Sequence, residues 1–178
     1  MGKIVGTYRL QTGTMAAAAH GYYSAQEFDF TPFEPFRSEI VELGRACVHQ
    51  DHRKGTVLDL LWRGIATYTR ERKGRYLIGC SSLTSQDPRA GASMYAELTR
   101  KHLVRVEWRT RPLPEMACAM EHLAEHAPKV PKLLAAYLSM GAKICGAPAI
   151  DREFKTIDFL TFLDLHSLPL RTVQRYLT

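Results

Sequence analysis

The chain has 178 residues, of which 46% are hydrophobic and 24% are charged. These shares are typical of one folded domain, and they exclude a collagen-like or extensively disordered chain. No stretch approaches the roughly 20 apolar residues that a membrane-spanning helix needs, and the N-terminus lacks the apolar core of a secretory signal. We therefore expect a cytoplasmic protein. The net charge of +6 favours an anionic partner without identifying it.

The hydrophobic patterns predict a mixture of strands and helices in the following order. Strands are expected at 3–10, 39–48, 76–82, 104–111 and 155–164. Helices are expected at 56–72, 87–102, 114–126, 131–140 and 167–176. Between them we expect a loop or short helical turn at 11–21, an aromatic covering segment at 22–36 and irregular structure at 143–150. This mixture predicts a single α/β or α+β domain.

Two details of this pattern concern helix ends. Asp87 and Pro88 are the residue types preferred at the N-cap and first position of a helix. Gly74 is expected to close the helix at 56–72.

The four cysteines show no C-x-x-C spacing, so neither a zinc ribbon nor a redox pair is indicated. They are expected to be reduced and mostly buried.

The segment 40–72 predicts an anion site where a strand, a basic loop and a helix follow one another. Arg53, Lys54, Gly55 and Thr56 stand at the expected helix start, where free backbone amides attract a phosphate. The alternative is a basic surface loop with Thr56 as its helix cap.

Glu42 and Arg45 lie three apart on a predicted strand and face opposite sides unless a bulge intervenes, and Gly44 is a suitable bulge position. A carboxylate on a central strand is costly unless it is paired or used. Glu42 is therefore predicted either to accept a proton from an amine or to form a structural ion pair.

Two other patterns are judged weaker. His122, Glu125 and His126 match the H-x-x-E-H pattern of some zinc proteases, but a solvated amphipathic helix is the better interpretation, and no metal is predicted. Basic residues surround Trp62, yet its position on the apolar helix face makes it a core residue, and no nucleic-acid motif is present.

Long segments, in order, carry a family resemblance: VGTYRL, YYSAQEFDF, ELGRACVHQDHRKGTVLDLLWRGIA, YLIGCSSL and KLLAAYLSMGAKICGAPAIDREFKTIDFLTFLDL. They resemble the GNAT-like acyltransferases that use acyl carrier protein, in particular the ornithine N-acyltransferases that make lyso-ornithine lipid. The resemblance implies one domain over 1–178 with a mixed, splayed sheet flanked by helices. It places the donor's pantetheine arm between 39–48 and 76–82.

The resemblance also implies site residues. Arg9, Glu42 and Arg45 match motif positions in the more distant acyl-homoserine-lactone synthases, where the glutamate is a proposed base and the arginines organise the site. The donor's phosphopantetheine is expected near the anion site at Arg53–Thr56, and beside Ser81 and Ser82.

Two departures from the pattern bear on the donor and the architecture. CoA-dependent relatives carry R-x-x-G-x-G/A, whereas Thr56 and Leu58 occupy the two glycine positions counted from Arg53. Crowding there favours acyl carrier protein, which brings a single phosphodiester and an acidic surface that suits basic residues. Those basic residues are Arg53, Lys54, Arg63, Arg70 and Arg75. The family has helices and strands before the VGTYRL strand, at which this chain almost begins, and an uncovered sheet face or edge would favour a homodimer or aggregation.

The resemblance thus implies transfer of a (3-hydroxy)fatty acyl group from acyl carrier protein to the α-amine of an amino acid, with L-ornithine expected. Another acceptor such as tyrosine, or a carrier-binding remnant without activity, stays open. No permanently bound cofactor is expected. Because the product would be amphiphilic, the enzyme is expected to act at the inner membrane face. The basic terminal helix at 167–176 either contacts that membrane or simply packs on the domain.

Overall fold

The computed structural model describes residues 2–53 and 55–176. These residues form a mixed six-stranded sheet with the order β1-β2-β3-β6-β4, and β5 also pairs with β6. The strands are β1 Gly6–Thr12, β2 Ile40–Val48, β3 Tyr76–Leu83, β4 Lys143–Ile144, β5 Ala149–Asp151 and β6 Thr156–Asp164. The helices are α1 Gly13–Ala18, α2 Thr56–Glu71, α3 Pro88–His102, α4 Lys132–Ser139 and α5 Leu170–Tyr176. The predicted mixed sheet flanked by helices is confirmed.

Helix α2 is the helix that the sequence predicts most strongly, and its apolar stripe is buried against the sheet. Trp62 and Ile65 lie in a core cluster with Val41 of β2, which confirms Trp62 as a core residue. The end of the helix differs from the prediction, because Lys73 and not Gly74 takes the left-handed backbone conformation. Gly74 is needed for space instead, since a Cβ there would lie 2.8 Å from a Val41 methyl group.

The two sides of the sheet are covered differently. Helices α2, α3 and α4 pack on the face defined by Ile157, Phe159 and Leu163, called the helix face. The opposite face, called the turn face, is covered by short 3-10 turns within 24–39 and by a segment near Trp108. The aromatic segment 22–36 is thus a cover, as predicted.

The prediction failed between Val104 and His126. Residues 104–111 contain a single 3-10 turn, Val106–Trp108, and no strand, because Trp108 packs its ring against Tyr76 and Phe162. The helix predicted at 114–126 is reduced to the turn Pro114–Met116. The H-x-x-E-H residues therefore lie on irregular chain and not on one helix face, and all three are exposed.

The remaining differences are small. Segment 143–150, predicted as irregular, contributes the short strands β4 and β5. Asp87 caps α3 as predicted by accepting from the Arg89 backbone N–H. The four cysteines are free, with Cys118 and Cys145 buried, Cys80 half-buried and Cys47 exposed.

Helix α5 is shorter than predicted and packs on α2. Arg175 donates to Asp59 at 2.7 Å, and the Tyr176 ring lies beside Trp62. Simple packing is thus the contact that the structure shows for this helix. No helix within 2–53 and 55–176 has both the length and the hydropathy to cross a membrane.

Candidate active site at the splayed strands

The central parallel strands β2 and β3 are joined over only a short distance. They pair at Ile40 with Tyr76, Val41 with Leu77 and Glu42 with Ile78, and then separate. The opening between β2 and β3 beyond these pairs is called the slot. At its closed end a Cβ on Gly79 would stand 2.3 Å from the Leu43 carbonyl oxygen, so the two backbones meet there only because residue 79 is glycine.

Strand β2 carries one extra residue where it borders the slot. Arg9 of β1 is opposite Gly44 and Thr7 is opposite Cys47, so two residues of β2 stand opposite one residue of β1 between these pairs. Arg45 has a φ of 54°, a conformation that is uncommon for a residue other than glycine. The bulge expected near Gly44 is therefore present, and the irregular backbone is centred on Arg45.

Clefts border the slot on both faces of the sheet. The helix-side cleft, about 70 Å³, is lined by Trp62, Tyr137 and the two strands. The turn-side cleft, about 220 Å³, is lined by Tyr23, Glu27 and the same part of the strands. The strand residues common to the two clefts are Leu43, Gly44, Arg45 and Cys80. The slot thus connects one face of the sheet with the other.

A third cleft, about 430 Å³, extends the helix-side cleft towards the start of α2 and is called the entrance cleft. The two share Tyr8, Ala46 and Leu133, and the entrance cleft also includes Arg53, Gly55 and Leu58. The three clefts therefore adjoin one another in series, from the start of α2 along the helix face and across the slot to the turn face.

The predicted anion site lies at the outer end of this path. Gly55, with a φ of 95°, is the N-cap of α2, and no side chain caps the helix start. Thr56 is therefore not the cap, and the first amides of α2 have no side-chain acceptor. Arg53 is exposed and donates through Nε to the Val48 carbonyl at 3.0 Å. Lys54, also predicted here, lies outside the described residues.

Of the five basic residues expected to form one carrier-binding cluster, the four that the structure describes do not lie together. Arg70 is near the far end of α2, roughly 20 Å along the helix from Arg53. Arg75 is ion-paired with Asp164 at 2.8 Å, and Arg63 with Asp59 at 3.7 Å. Lys132 instead joins Arg53 at the entrance cleft.

Ser81 and Ser82 lie on opposite faces of β3, as successive strand residues must. Ser81 lines the helix-side cleft and its Oγ is 2.8 Å from the Thr161 hydroxyl. Ser82 lines the turn-side cleft. The two serines predicted to bind the donor therefore line different clefts, and their binding roles stay predictions.

Glu42 is completely buried and both of its carboxylate oxygens are engaged. They accept from the Tyr23 backbone N–H at 2.9 Å and the Ser24 backbone N–H at 2.8 Å. Arg9 lies 3.5 Å from the same carboxylate. Glu42 lines neither cleft of the slot. Its contacts fit a residue that holds the turn at 23–24 in place, and its role as proton acceptor stays a prediction.

Arg9 and Arg45 both face the turn-side cleft around the Tyr23 ring. The Arg9 guanidinium carbon is 4.6 Å from the ring centre and that of Arg45 is 5.4 Å away. The missing side chain of Gly44 makes room for Arg9, since a Cβ there would be 2.7 Å from its Nη2. Two guanidinium groups therefore border one side of this cleft.

The structure adds a site feature that the sequence analysis missed. The turn-side cleft is also lined by three buried acids, Glu27, Asp151 and Asp158. One carboxylate oxygen from each lies within 4.8 Å of the others, a spacing that could hold a cation. Burial, with Asp158 and Asp151 adding negative charge, raises the pKa of Glu27 to about 8. Burial likewise raises the pKa of Asp158.

Signals for these acids were present in the sequence. Glu27 lies within the aromatic run YYSAQEFDF, and Asp158 interrupts the apolar strand TIDFLTFL. A carboxylate embedded in such a pattern is either paired or functional. Cys80, which also lines the slot, is not a candidate nucleophile, because burial and the carboxylates of Glu27 and Asp158 raise the pKa of its thiol well above its usual value.

Comparisons with known proteins agree with this architecture. An acetyltransferase (GNAT) domain model matches residues 1–63. The L-ornithine N(alpha)-acyltransferase of Agrobacterium fabrum is 32% identical over 183 residues, covering 98% of this chain and 62% of that protein. The protein of the same name from Brucella abortus is also 32% identical, covering 98% of this chain and 65% of that protein. The chain thus spans less than two thirds of the length of these curated relatives.

Among solved structures, the acyl-homoserine lactone synthase BjaI bound to MTA matches with a TM-score of 0.46 and 14% identity, covering 97% of this chain and 56% of that chain. An aminoglycoside 6'-N-acetyltransferase complexed with coenzyme A matches with a TM-score of 0.43 and 15% identity, covering 73% of this chain and 61% of that chain. On the sequence matches, the chain is GNAT-like over residues 1–63 and is a distant homologue of proteins named L-ornithine N(alpha)-acyltransferase.

Proposed function

We propose that the protein transfers a fatty acyl group from acyl carrier protein to the α-amine of an amino acid, with L-ornithine as the acceptor. The observation that carries this proposal is the pair of clefts that border the slot on opposite faces of the sheet, which would let donor and acceptor approach one carbonyl carbon from opposite sides. The names of the relatives support ornithine as the acceptor.

The donor is assigned to the helix face. Its phosphate sits at the uncapped start of α2 beside Arg53, and its pantetheine arm follows the entrance and helix-side clefts to the slot. Leu58 lines the entrance cleft and narrows it. A carrier protein that brings one phosphodiester fits there more readily than the pyrophosphate of CoA.

The reaction at the slot is an acyl exchange between sulfur and nitrogen. The neutral amine attacks the thioester carbonyl, the C–N bond forms, the C–S bond breaks and the carrier leaves as a thiolate. The proton that the amine gives up passes through the turn-side cleft, where the carboxylates lie, and is returned to the thiolate, so the carrier ends as its free thiol. Strand edges that face the slot have no partner strand beyond Glu42 and Ile78, so their backbone N–H groups are suited to stabilise the oxyanion.

The acceptor is assigned to the turn face, with its α-carboxylate near the guanidinium groups of Arg9 and Arg45. The product joins an acyl chain to a polar head and is amphiphilic. We therefore place the enzyme in the cytoplasm, where it can release this product at the inner membrane face.

The test is product formation by the purified protein. Acyl carrier protein charged with a 3-hydroxyacyl chain is incubated with L-ornithine, and mass spectrometry follows the N-acyl product; acyl-CoA is the comparison donor. Arg53→Glu should lower kcat/KM for the carrier by about ten-fold or more. Arg105→Glu, on a side chain that is 85% exposed and outside the three clefts, is the matched control.

Two outcomes would contradict the proposal. Better transfer from acyl-CoA than from the carrier would remove the carrier as donor. Binding of the carrier without transfer to any amino acid would instead identify a carrier-binding protein. Lipids from cells that express the chain, with and without added ornithine, provide a second readout.

A further inference from the structure

The three acids of the turn-side cleft come from distant parts of the chain and are brought to one point by the fold. Glu27 follows the 3-10 turn Ser24–Gln26, Asp151 ends β5, and Asp158 lies on the turn face of β6. Asp151 is held by the backbone N–H groups of Glu153 and Phe154, at 2.8 and 2.9 Å. The three acids are called the acidic triad.

The triad contains buried oxygen atoms that have no partner outside the triad in the described part of the chain. Glu27 and Asp158 are each only 4% exposed, and apart from the contact between these two carboxyl groups, Glu27 Oε2 and Asp158 Oδ1 have no hydrogen-bond partner among the described residues. Desolvated carboxylates without donors are strongly unfavourable, so such atoms require an explanation. Both residues line the turn-side cleft, and a cationic ligand placed there would supply the missing donors.

The rest of the cleft indicates what kind of cation this is. Arg9 and Arg45 border the same cleft, and Arg9 Nε is also buried without a partner. A metal ion alone would leave Arg9 Nε without an acceptor. A ligand with an ammonium group and a carboxylate satisfies both ends, and a space of about 220 Å³ accommodates an amino acid.

We propose that the acidic triad binds the side-chain ammonium group of the acceptor and so selects diamino acids over neutral ones. This inference rests on the proposed acyl transfer, which supplies the α-amine and places the α-carboxylate near Arg9 and Arg45. Glu27 and Asp158 contribute the free oxygens. Asp151 adds negative charge and fixes the loop that carries Phe154, whose ring lies 5.3 Å from the Arg45 guanidinium carbon.

The test compares L-ornithine with L-norleucine, in which a methyl group replaces the side-chain ammonium. The wild-type protein should prefer ornithine in kcat/KM. Glu27→Gln and Asp158→Asn should each reduce this preference by about ten-fold or more, because a hydrogen bond to a charged group is lost. The preference is a ratio for one protein sample, so partial loss of folded protein cancels.

Glu153→Gln is the matched control, because it removes an exposed carboxylate two residues from Asp151 that does not line the cleft. This variant should leave kcat/KM for ornithine and kcat/KM for norleucine unchanged. Calorimetric binding of ornithine and of norleucine without donor should give the same order of affinities, and this readout does not depend on catalysis.

The results separate the two proposals. Equal use of ornithine and norleucine by the wild-type protein, or an unchanged preference in both triad variants, overturns the triad's role while acyl transfer stands. No transfer to any amine overturns the proposed function, whereas ornithine binding that is lost in Asp158→Asn still supports the triad. Stabilisation by Mg²⁺ or Mn²⁺ that is lost in Asp158→Asn, without any effect of ornithine, identifies a metal site instead.

Discussion

The buried carboxyl group of Glu27 makes stability depend on pH in a direction opposite to that of an ordinary surface acid. Its pKa is raised from 4.5 to about 8 by burial and by the neighbouring acids, so the folded protein holds this proton more tightly than the unfolded chain does. The free energy of unfolding must therefore fall as pH rises through this interval. Glu27→Gln keeps the shape of the side chain and removes the titration.

The size of the effect follows from the width of the interval. From 4.5 to about 8 is about 3.5 pH units, and each unit corresponds to about 1.4 kcal/mol, which sets an upper bound of about 5 kcal/mol. Coupling to Asp158 and entry of water into the open cleft reduce this value. Between pH 5 and pH 9, we expect the free energy of unfolding of Glu27→Gln to rise by about 2–3 kcal/mol relative to that of the wild-type protein.

Urea unfolding of both proteins at one-unit steps across this range measures the difference directly. Glu153→Gln, which removes an exposed carboxylate nearby, should follow the wild-type profile. Parallel profiles for Glu27→Gln and wild type would show that Glu27 ionises normally in the folded protein, and the reasoning about the triad's burial would be wrong.

Three further predictions concern the strands around the slot. Gly79→Ala should force β2 and β3 apart, because its Cβ would stand 2.3 Å from the Leu43 carbonyl oxygen, and should reduce the rate of acyl transfer at least about ten-fold. The control is Gly64→Ala, which lies in open space on α2 and should stabilise the helix by about 0.5–1 kcal/mol without changing that rate. Tyr8 and Tyr137 share a hydrogen bond between β1 and α4, so a double-mutant cycle with phenylalanine at both positions should give a coupling of about 1 kcal/mol in urea unfolding. Glu42→Gln should cost about 1–3 kcal/mol of stability, because one backbone N–H loses its acceptor; unchanged stability with turnover reduced roughly 10²-fold would favour the proton-acceptor role instead.

Much of the sheet could be predicted because its strands and main helix carry clear periodicity. Segments 39–48, 56–72, 76–82 and 155–164 alternate or repeat at the spacing of their elements, and each appears within two residues of the prediction. The region from Val104 to His126 could not be predicted, because its apolar residues serve long-range contacts. Trp108 is fixed by rings that lie on β3 and β6, and no local pattern reports such packing.

The candidate site was expected at the splayed strands, and the roles predicted for its residues stay predictions. The splayed strands and the positions of Arg9 and Arg45 were expected from the family resemblance, and the structure places both arginines at the slot. The acidic triad was missed because Glu27 lies in a segment interpreted only as cover, and its partners come from residues more than 120 positions away. Sequence spacing cannot reveal a cluster that only the tertiary fold assembles.

The slot also divides the sheet into two ribbons with unequal bonding. Strands β1 and β2 pair at six positions and β3 and β6 at eight, whereas three pairs join one ribbon to the other. From Leu43 onward, the amide groups of β2 that face the slot have only solvent or a ligand as hydrogen-bond partner. Their protons should therefore exchange with water as fast as those of an edge strand do. A thioester arm seated there would bond to both ribbons at once, so donor binding should rigidify the whole sheet.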